Sequence, residues 1–210
     1  MADDSKTNEI VSNKTNILVG IKGSGQAVDV YSNKYTIETQ NLFEKTDSYL
    51  LSSDSNVITV LGKDTDSAFY GLTTLYHIFN QLEDNTIRSF KIEDYANVVT
   101  RGFIEGYYGN PWSVQDRMDL MTYGGYYKLN AYFYAPKDDP KHRTQWRTLY
   151  TDEELKWIKQ LADAGNASKT RFVYGIHPFP GNDAFGINKD EAGHVYEAYQ
   201  IFTGTLSEED

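Results

Sequence analysis

The chain has 210 residues, 20 of them basic and 30 acidic, and its formal net charge is −10. This excess of acid opposes a general role in binding nucleic acids or anionic membranes, because both partners require clustered Lys and Arg. The sequence contains no cysteine, which excludes disulfides, cysteine-ligated zinc, iron–sulfur clusters and thiol nucleophiles. No apolar run approaches the roughly 20 residues of a membrane span, so we expect a globular protein. The negative net charge favours neutral or cationic partners.

The first 97 residues predict a flexible lead-in at 1–15 and a small α+β domain at 16–97. Clusters of Gly, Ser, Asn and Asp separate short runs of strand-forming residues, which predict strands at 16–20, 34–38, 48–52, 56–61 and 87–92. A helix capped by Thr65 or Ser67 precedes the last of these strands. Its expected inward face repeats at spacings of four and three and comprises Ala68, Leu72, Leu75, Phe79 and Leu82.

From residue 98 the pattern changes to strand and helix in alternation, which is typical of a parallel sheet with crossover helices. Strands are expected at 99–105, 130–135 and 171–175. One helix is expected to begin at Ser113, with Val114, Met118 and Met121 facing inward, and another at Thr151, with Leu155, Ile158 and Leu161 facing inward. Three such units fit the opening of a TIM barrel or a doubly wound sheet. Since a TIM barrel needs eight strands, we expect 98–210 to be an incomplete domain.

The glycines and histidines give no sign of a nucleotide or metal site. Gly20, Gly23 and Gly25 lie in GIKGSGQ, which matches neither the dinucleotide fingerprint nor the P-loop, and we interpret the segment as a turn between strands. The four histidines fall at no metal-binding spacing, so we expect no metal and no cofactor. His77 is interpreted as structural, whereas His177, at a strand end, leaves a substrate contact open.

The stretch RGFIEGYYGNPW, residues 101–112, places bare backbone and aromatic rings at the carboxyl end of a strand. Such surfaces bind sugars, because the rings stack on C–H faces while nearby polar groups bond to hydroxyls. A tight turn packed by aromatic side chains is an equally weighted alternative.

The stretch YFYAPKDDPKHR, residues 132–143, follows the next strand. Lys137 beside Asp138 and Asp139 offers a cation and two carboxylates where catalytic groups sit in barrels. Adjacent carboxylates can act as acid and base if their environments separate their pKa values. The alternative is structural, with K-D-D-P forming a loop and a helix start in which an aspartate is the cap before Pro140.

Together, RGFIEGYYGNPW, KLNAYFYAPKDDPKHRTQWR and RFVYGIHP resemble the start of the catalytic barrel of glycoside hydrolase family 84. Members of that family are β-N-acetylglucosaminidases, including O-GlcNAcases and bacterial enzymes often labelled hyaluronidases. The resemblance covers residues 98–178. Upstream, residues 66–79 resemble the small α/β domain that precedes the barrel in bacterial members. The resemblance therefore implies a small α+β domain followed by the first three β/α units of a TIM (β/α)8 barrel.

The resemblance also implies a retaining, substrate-assisted mechanism, in which the 2-acetamido oxygen of the substrate attacks the anomeric carbon to give an oxazoline. One carboxylate polarises the acetamido group and a second acts as acid and then base. In the family these are consecutive aspartates at the end of the fourth barrel strand. We expect that pair to lie beyond this chain, which leaves the chain itself with no catalytic residue.

Sugar-binding residues do carry over by resemblance. The backbone of Gly106 is expected to face a sugar hydroxyl, Tyr108 to line the pocket and Lys137 to bond to the sugar. Asp138 and Asp139 correspond to residues of a K-D-D motif, and we expect them to hold the loop that presents Lys137. Four of the 17 tyrosines are expected to cluster around the sugar: Tyr107, Tyr108, Tyr132 and Tyr134.

Two other interpretations stay open. A non-catalytic carbohydrate-binding or adhesion module would retain half a sugar site, and a structural fragment would self-associate through its open barrel edge. The expected substrate is an N-acetylglucosamine-containing glycan or glycoprotein. The small preceding domain favours a secreted or cell-surface bacterial protein, although the chain itself carries no signal peptide pattern.

Overall fold

The structure is a computed structural model that describes residues 10–84, 86–106, 110–142 and 145–176. Two compact units divide the chain, Met1–Val99 and Thr100–Asp210. Each unit combines helices with a sheet, so the fold is mixed α/β. None of the helices that the structure describes is long and apolar enough to cross a membrane.

The first unit is built on a four-stranded mixed sheet in the order β1-β3-β2-β4. Its strands are β1 (Asn16–Ile21), β2 (Tyr49–Asp54), β3 (Val57–Gly62) and β4 (Phe90–Asp94). Strand β1 runs parallel to β3, whereas β2 runs antiparallel to both β3 and β4. These four predicted strands are confirmed, with ends that differ by up to three residues.

Helices cover both faces of this sheet. Helix α1 (Ala27–Ser32) places Val28 on one face against Leu50 and Leu61. Helix α2 (Thr65–Phe79) covers the other face. The core beneath α2 contains Tyr49, Leu51, Ile58, Val60, Tyr70 and Leu75. Because β2 and β3 are covered on both sides, nearly all of their side chains are buried rather than every second one.

The segment GIKGSGQ leads from β1 into a helix, so its interpretation as a turn between two strands is wrong. Gly23 and Gly25 have positive φ angles of 80° and 70°, which glycine adopts without steric cost. Their N–H groups donate to the Asp29 carboxylate at 3.0 and 3.2 Å. The carboxylate on α1 thus fixes the turn that precedes it.

The strand predicted at 34–38 is absent from the described part of the first unit, where this segment is an irregular connection after α1. Its backbone bonds to a side chain instead of a neighbouring strand. The Glu93 carboxylate accepts hydrogen bonds from the N–H groups of Glu38 at 3.0 Å and Thr39 at 2.7 Å. Of the two apolar residues in this segment, Tyr35 packs against the core beside α1, whereas Ile37 is exposed.

Helix α2 is capped by Asp64, not by Thr65 or Ser67. The Asp64 carboxylate accepts from the Ser67 N–H at 2.8 Å, as an N-cap side chain does.

The inward face of α2 is also rotated from the predicted one. Leu72 and Phe79 are exposed, and Leu82 lies beyond the end of the helix. Gly71 faces the sheet in place of Leu72, and a Cβ built on it would lie 2.5 Å from a Val60 methyl carbon. At Gly71 the absence of a side chain therefore lets the helix come close to β3.

The second unit contains three parallel strands in the order β5-β6-β7. They are β5 (Gly102–Glu105), β6 (Ala131–Tyr134) and β7 (Arg171–Tyr174), joined by α3 (Val114–Tyr126) and α4 (Asp152–Ser168). Both predicted N-caps are confirmed: Ser113 and Thr151 form capping boxes with Asp116 and Glu154.

The buried faces of these two helices were predicted only in part. On α3, Val114, Met118 and Met121 pack into the core as expected. On α4, Leu161 is buried but Leu155 is exposed, and Trp157 packs inward in its place.

Candidate functional site

The candidate site lies at the carboxyl ends of β5 and β6. The two strands pair in parallel with Glu105 opposite Tyr134, and the Ala135 N–H donates to the Glu105 carbonyl at 3.0 Å. The residues that follow these strands therefore emerge side by side, as at the ligand-binding edge of other parallel sheets. Gly106 and the turn at residues 136–139 are the groups brought together here.

Gly106 presents bare backbone at the end of β5. The residue is exposed, and a Cβ built on it would meet one described atom within 4 Å, a methyl carbon of Ile104 at 3.6 Å. Packing within the described residues thus does not require glycine here. Tyr107 and Tyr108, which follow, lie outside the described residues, as does His177.

Lys137 lies in a tight turn that the Asp139 N–H closes by donating to the Pro136 carbonyl at 3.2 Å. Its side chain is half-buried, and within the described residues it has no hydrogen-bond or ion-pair partner. An ammonium group carries three donors, so this lysine is equipped to bind oxygen atoms supplied from outside the turn. Asp138, the next residue, is exposed.

Asp139 anchors the turn to its surroundings. Its carboxylate accepts from the Tyr134 hydroxyl at 2.8 Å, the Tyr150 hydroxyl at 2.7 Å and the Lys141 N–H at 2.8 Å. The last bond caps a short 3₁₀ helix, Pro140–His142, as the structural interpretation of K-D-D-P predicted. Burial and the bond to Asp139 raise the pKa of Tyr134 well above its usual value, so this phenol remains a donor.

A buried ion pair lies under the same edge. The Glu105 carboxylate accepts two bonds from Arg117 of α3, from Nε at 2.9 Å and Nη2 at 2.7 Å, and a third from the Tyr132 hydroxyl. Glu105 is fully buried and Arg117 nearly so. Burial, with the bond to Glu105, raises the pKa of Tyr132 far above its usual value.

This ion pair was not predicted, although the sequence contains one signal for it. Arg117 follows Val114 by three residues and precedes Met121 by four, which places it on the apolar face of α3. A cation on a buried face needs a buried carboxylate partner.

The expectation that Tyr132 and Tyr134 surround a sugar is wrong. Their side chains are 0% and 4% exposed and pack under the helices. Alternate residues of a strand point to opposite faces, and this register puts both tyrosines on the same face as Phe103 and Phe172. They support the sheet from the helix side and do not line its open edge.

Two further expectations concerned His77 and metal binding. His77 lies half-buried in α2. Among the described residues, no group of three or more His, Asp or Glu side chains converges to hold a metal ion.

Comparison with known proteins relates both units to glycoside hydrolases. A family model described as beta-N-acetylglucosaminidase matches residues 101–200, and a model of domain 2 of glycosyl hydrolase family 20 matches residues 4–95. The protein O-GlcNAcases of Rattus norvegicus and Mus musculus are each 42% identical over 77 residues, which is 37% of this chain and 8% of each relative.

Two solved structures extend the similarity across the chain. CpGH84D is 44% identical with a TM-score of 0.77, over 91% of this chain and 34% of that one. CpGH84B is 32% identical with a TM-score of 0.64, over 80% of this chain and 30% of that one.

The two family models that match, one for each unit, both describe glycoside hydrolases. These matches confirm that the chain resembles glycoside hydrolase family 84, as its three motifs implied. It spans about a third of the solved structures and less than a tenth of the curated relatives.

Proposed function

We propose that the protein carrying this chain removes terminal β-linked N-acetylglucosamine from glycans or glycoproteins. The observation that carries the proposal is the half-buried Lys137, which has no partner within the described residues and follows β6 at the same sheet edge where the bare backbone of Gly106 follows β5. The matching family model and the names of the relatives support the same substrate class.

In the proposed enzyme, the second unit forms the first three β/α units of a TIM barrel. Active sites of such barrels lie at the carboxyl ends of the strands, where Gly106 and Lys137 are found. The Lys137 ammonium donates hydrogen bonds to sugar hydroxyls, and the Gly106 backbone admits the sugar at close range. Asp139 holds the turn, since its oxygens already accept bonds from the protein.

The proposed reaction is retaining and substrate-assisted. The acetamido oxygen of the substrate displaces the leaving group and forms an oxazoline, which water then opens. The two carboxylates that this chemistry needs are proposed to come from a later strand, outside this chain. The part played by Gly106 and Lys137 is to bind and orient the sugar, which restricts the reacting atoms to a productive geometry.

The proposal is tested by replacing Lys137 in the full-length protein. We expect Lys137→Ala to raise KM for an aryl β-N-acetylglucosaminide roughly tenfold or more, because a charged hydrogen-bond donor is lost from the sugar site. Lys159→Ala is the matched control, since Lys159 lies exposed on α4. Unchanged kinetics of Lys137→Ala would remove this lysine from the site, and lack of hydrolysis by the unaltered protein would overturn the function.

A further inference from the structure

Tyr150 connects three parts of the second unit through one hydroxyl group. The residue precedes α4, and its hydroxyl lies 2.7 Å from the Asp139 carboxylate and 2.9 Å from the Tyr174 hydroxyl at the end of β7. Its ring stands edge-on to the rings of Trp157 and Tyr174, with centroids 5.9 Å away in each case. The ring is therefore fixed by packing and the hydroxyl by polar contacts.

The count of protons fixes the direction of these bonds. An ionised carboxylate only accepts, so Tyr134 and Tyr150 both donate to Asp139. Tyr150 then has no proton left for Tyr174, so a hydrogen bond between the two hydroxyls is donated by Tyr174, which shares its one proton between Tyr150 and the Lys141 carbonyl at 3.2 Å. Burial and the bonds to Tyr174 and Asp139 raise the pKa of Tyr150, which keeps this chain of donors intact at neutral pH.

The network ends on the turn that carries Lys137. Asp139 closes that turn through its backbone N–H, while its carboxylate is held by Tyr134 from β6 and by Tyr150. Lys141 adds a further tie, because its ammonium pairs with Glu154 of α4 and lies 4.8 Å from the centre of the Tyr150 ring. Without the Tyr150 hydroxyl, Asp139 loses one of its two phenolic donors and its link through Tyr150 to Tyr174 of β7.

We propose that Tyr150 is a positioning residue for Lys137, acting through Asp139 without contacting the sugar. The inference rests on the proposed function, because it concerns the placement of the sugar-binding lysine. Tyr150 lies outside the three sequence motifs that resemble family 84, so the inference adds a residue to those that the resemblance implied. A positioning residue acts only while the group it positions is present, and this property makes the inference testable.

The test is a double-mutant cycle in the full-length protein. Tyr150→Phe removes one hydroxyl and keeps the ring, and we expect it to raise KM for an aryl β-N-acetylglucosaminide about fivefold, with a smaller change in kcat. In a protein that already carries Lys137→Ala, we expect Tyr150→Phe to add less than about twofold, because contacting or coupled residues are non-additive. Tyr123→Phe, on the exposed side of α3, is the matched control and should leave both constants unchanged.

The possible outcomes separate the inference from the proposed function. Equal effects of Tyr150→Phe with and without Lys137 would show a general loss of stability and overturn the inference, as would wild-type kinetics of Tyr150→Phe beside an impaired Lys137→Ala. No hydrolysis by the unaltered protein would overturn both. If Tyr150→Phe does not fold, Asp139→Asn keeps the shape of the anchor, and the same cycle with Lys137→Ala decides the question.

Discussion

At the scale of single residues, the buried Glu105–Arg117 pair fixes the last residue of β5 to α3. The carboxylate accepts bonds from both the guanidinium and Tyr132, so its desolvation is offset by three donors. Although burial lowers the pKa of Arg117, the hydrogen bond and the charge of the Glu105 carboxylate together raise it by more, so the guanidinium stays charged. The pair joins β5 to α3 one residue before the bare backbone of Gly106.

Removal of the cation is expected to destabilise the protein strongly. Arg117→Met keeps much of the side-chain volume but leaves Glu105 buried without its counter-charge, and we predict a loss of about 3–5 kcal/mol in the free energy of unfolding. Urea denaturation measures this loss. The control is Lys156→Met, because the Lys156–Glu153 pair is exposed and its loss should change stability by less than about 1 kcal/mol. A small effect of Arg117→Met would mean that water reaches the Glu105 carboxylate.

Residue-scale features differ in how far the sequence predicts them. The Ser113 and Thr151 caps were predicted because a capping box is written within four consecutive residues. The Glu105–Arg117 pair was missed because it joins residues 12 apart on two different elements. Tyr132 and Tyr134 were assigned to the wrong side because the strand pattern gives alternation but not which face the helices cover.

At the scale of elements, Glu93 joins β4 to the irregular segment after α1. Burial alone would raise the pKa of this carboxyl, but the N–H groups of Glu38 and Thr39 and the ammonium of Lys91 lower it to about 2 from its usual 4.5. The ionised form is thus favoured by folding. Its contribution to stability is complete above about pH 4.5 and is lost as the pH falls toward 2.

Acid unfolding should reveal this contribution. We expect the melting temperature of the wild type to fall between pH 5 and pH 3 by more than that of Glu93→Gln, which has no carboxylate to protonate. Glu83→Gln is the control and should retain the wild-type dependence on pH, because Glu83 is exposed. Parallel pH profiles of the wild type and Glu93→Gln would contradict the role given to Glu93.

Local sequence patterns predict some of the elements correctly, whereas tertiary contacts decide others. Strands β1, β2 and β3 were predicted because their apolar runs are bounded by turn residues. The segment 34–38 also contains strand-forming residues, but the N–H groups at its end donate to the carboxylate of Glu93, more than 50 residues away. Gly71 similarly shifts the buried face of α2, because a close approach to Val60 depends on the sheet and not on the helical period.

At the scale of the whole molecule, the second unit contains a sheet of three parallel strands. Among the residues that the structure describes, β5 and β7 each have one neighbouring strand. A TIM barrel has eight strands, and its catalytic residues come from the ends of several of them. The closed barrel and the later half of the sugar site therefore remain predictions that rest on the family.

We predict that residues 1–210, produced alone, do not hydrolyse an aryl β-N-acetylglucosaminide. The proposed carboxylate pair belongs to a later strand, and Gly106 and Lys137 supply only binding. Release of the aryl group is measured by absorbance, with the full-length protein as the positive control. Hydrolysis by residues 1–210 would contradict the placement of the carboxylate pair. Saturable binding of N-acetylglucosamine without hydrolysis would instead favour a carbohydrate-binding module.

The aromatic cluster around Asp139 also has a spectroscopic consequence. Trp157 packs within 6 Å, centre to centre, of both Tyr134 and Tyr150, the two phenols that bond to Asp139. Indole emission responds to the polarity and hydration of its surroundings, so Trp157 is a built-in optical probe of the turn that carries Lys137. With the other two tryptophans of the chain, Trp112 and Trp146, replaced by phenylalanine, a change in emission on adding a sugar would report movement of that turn directly.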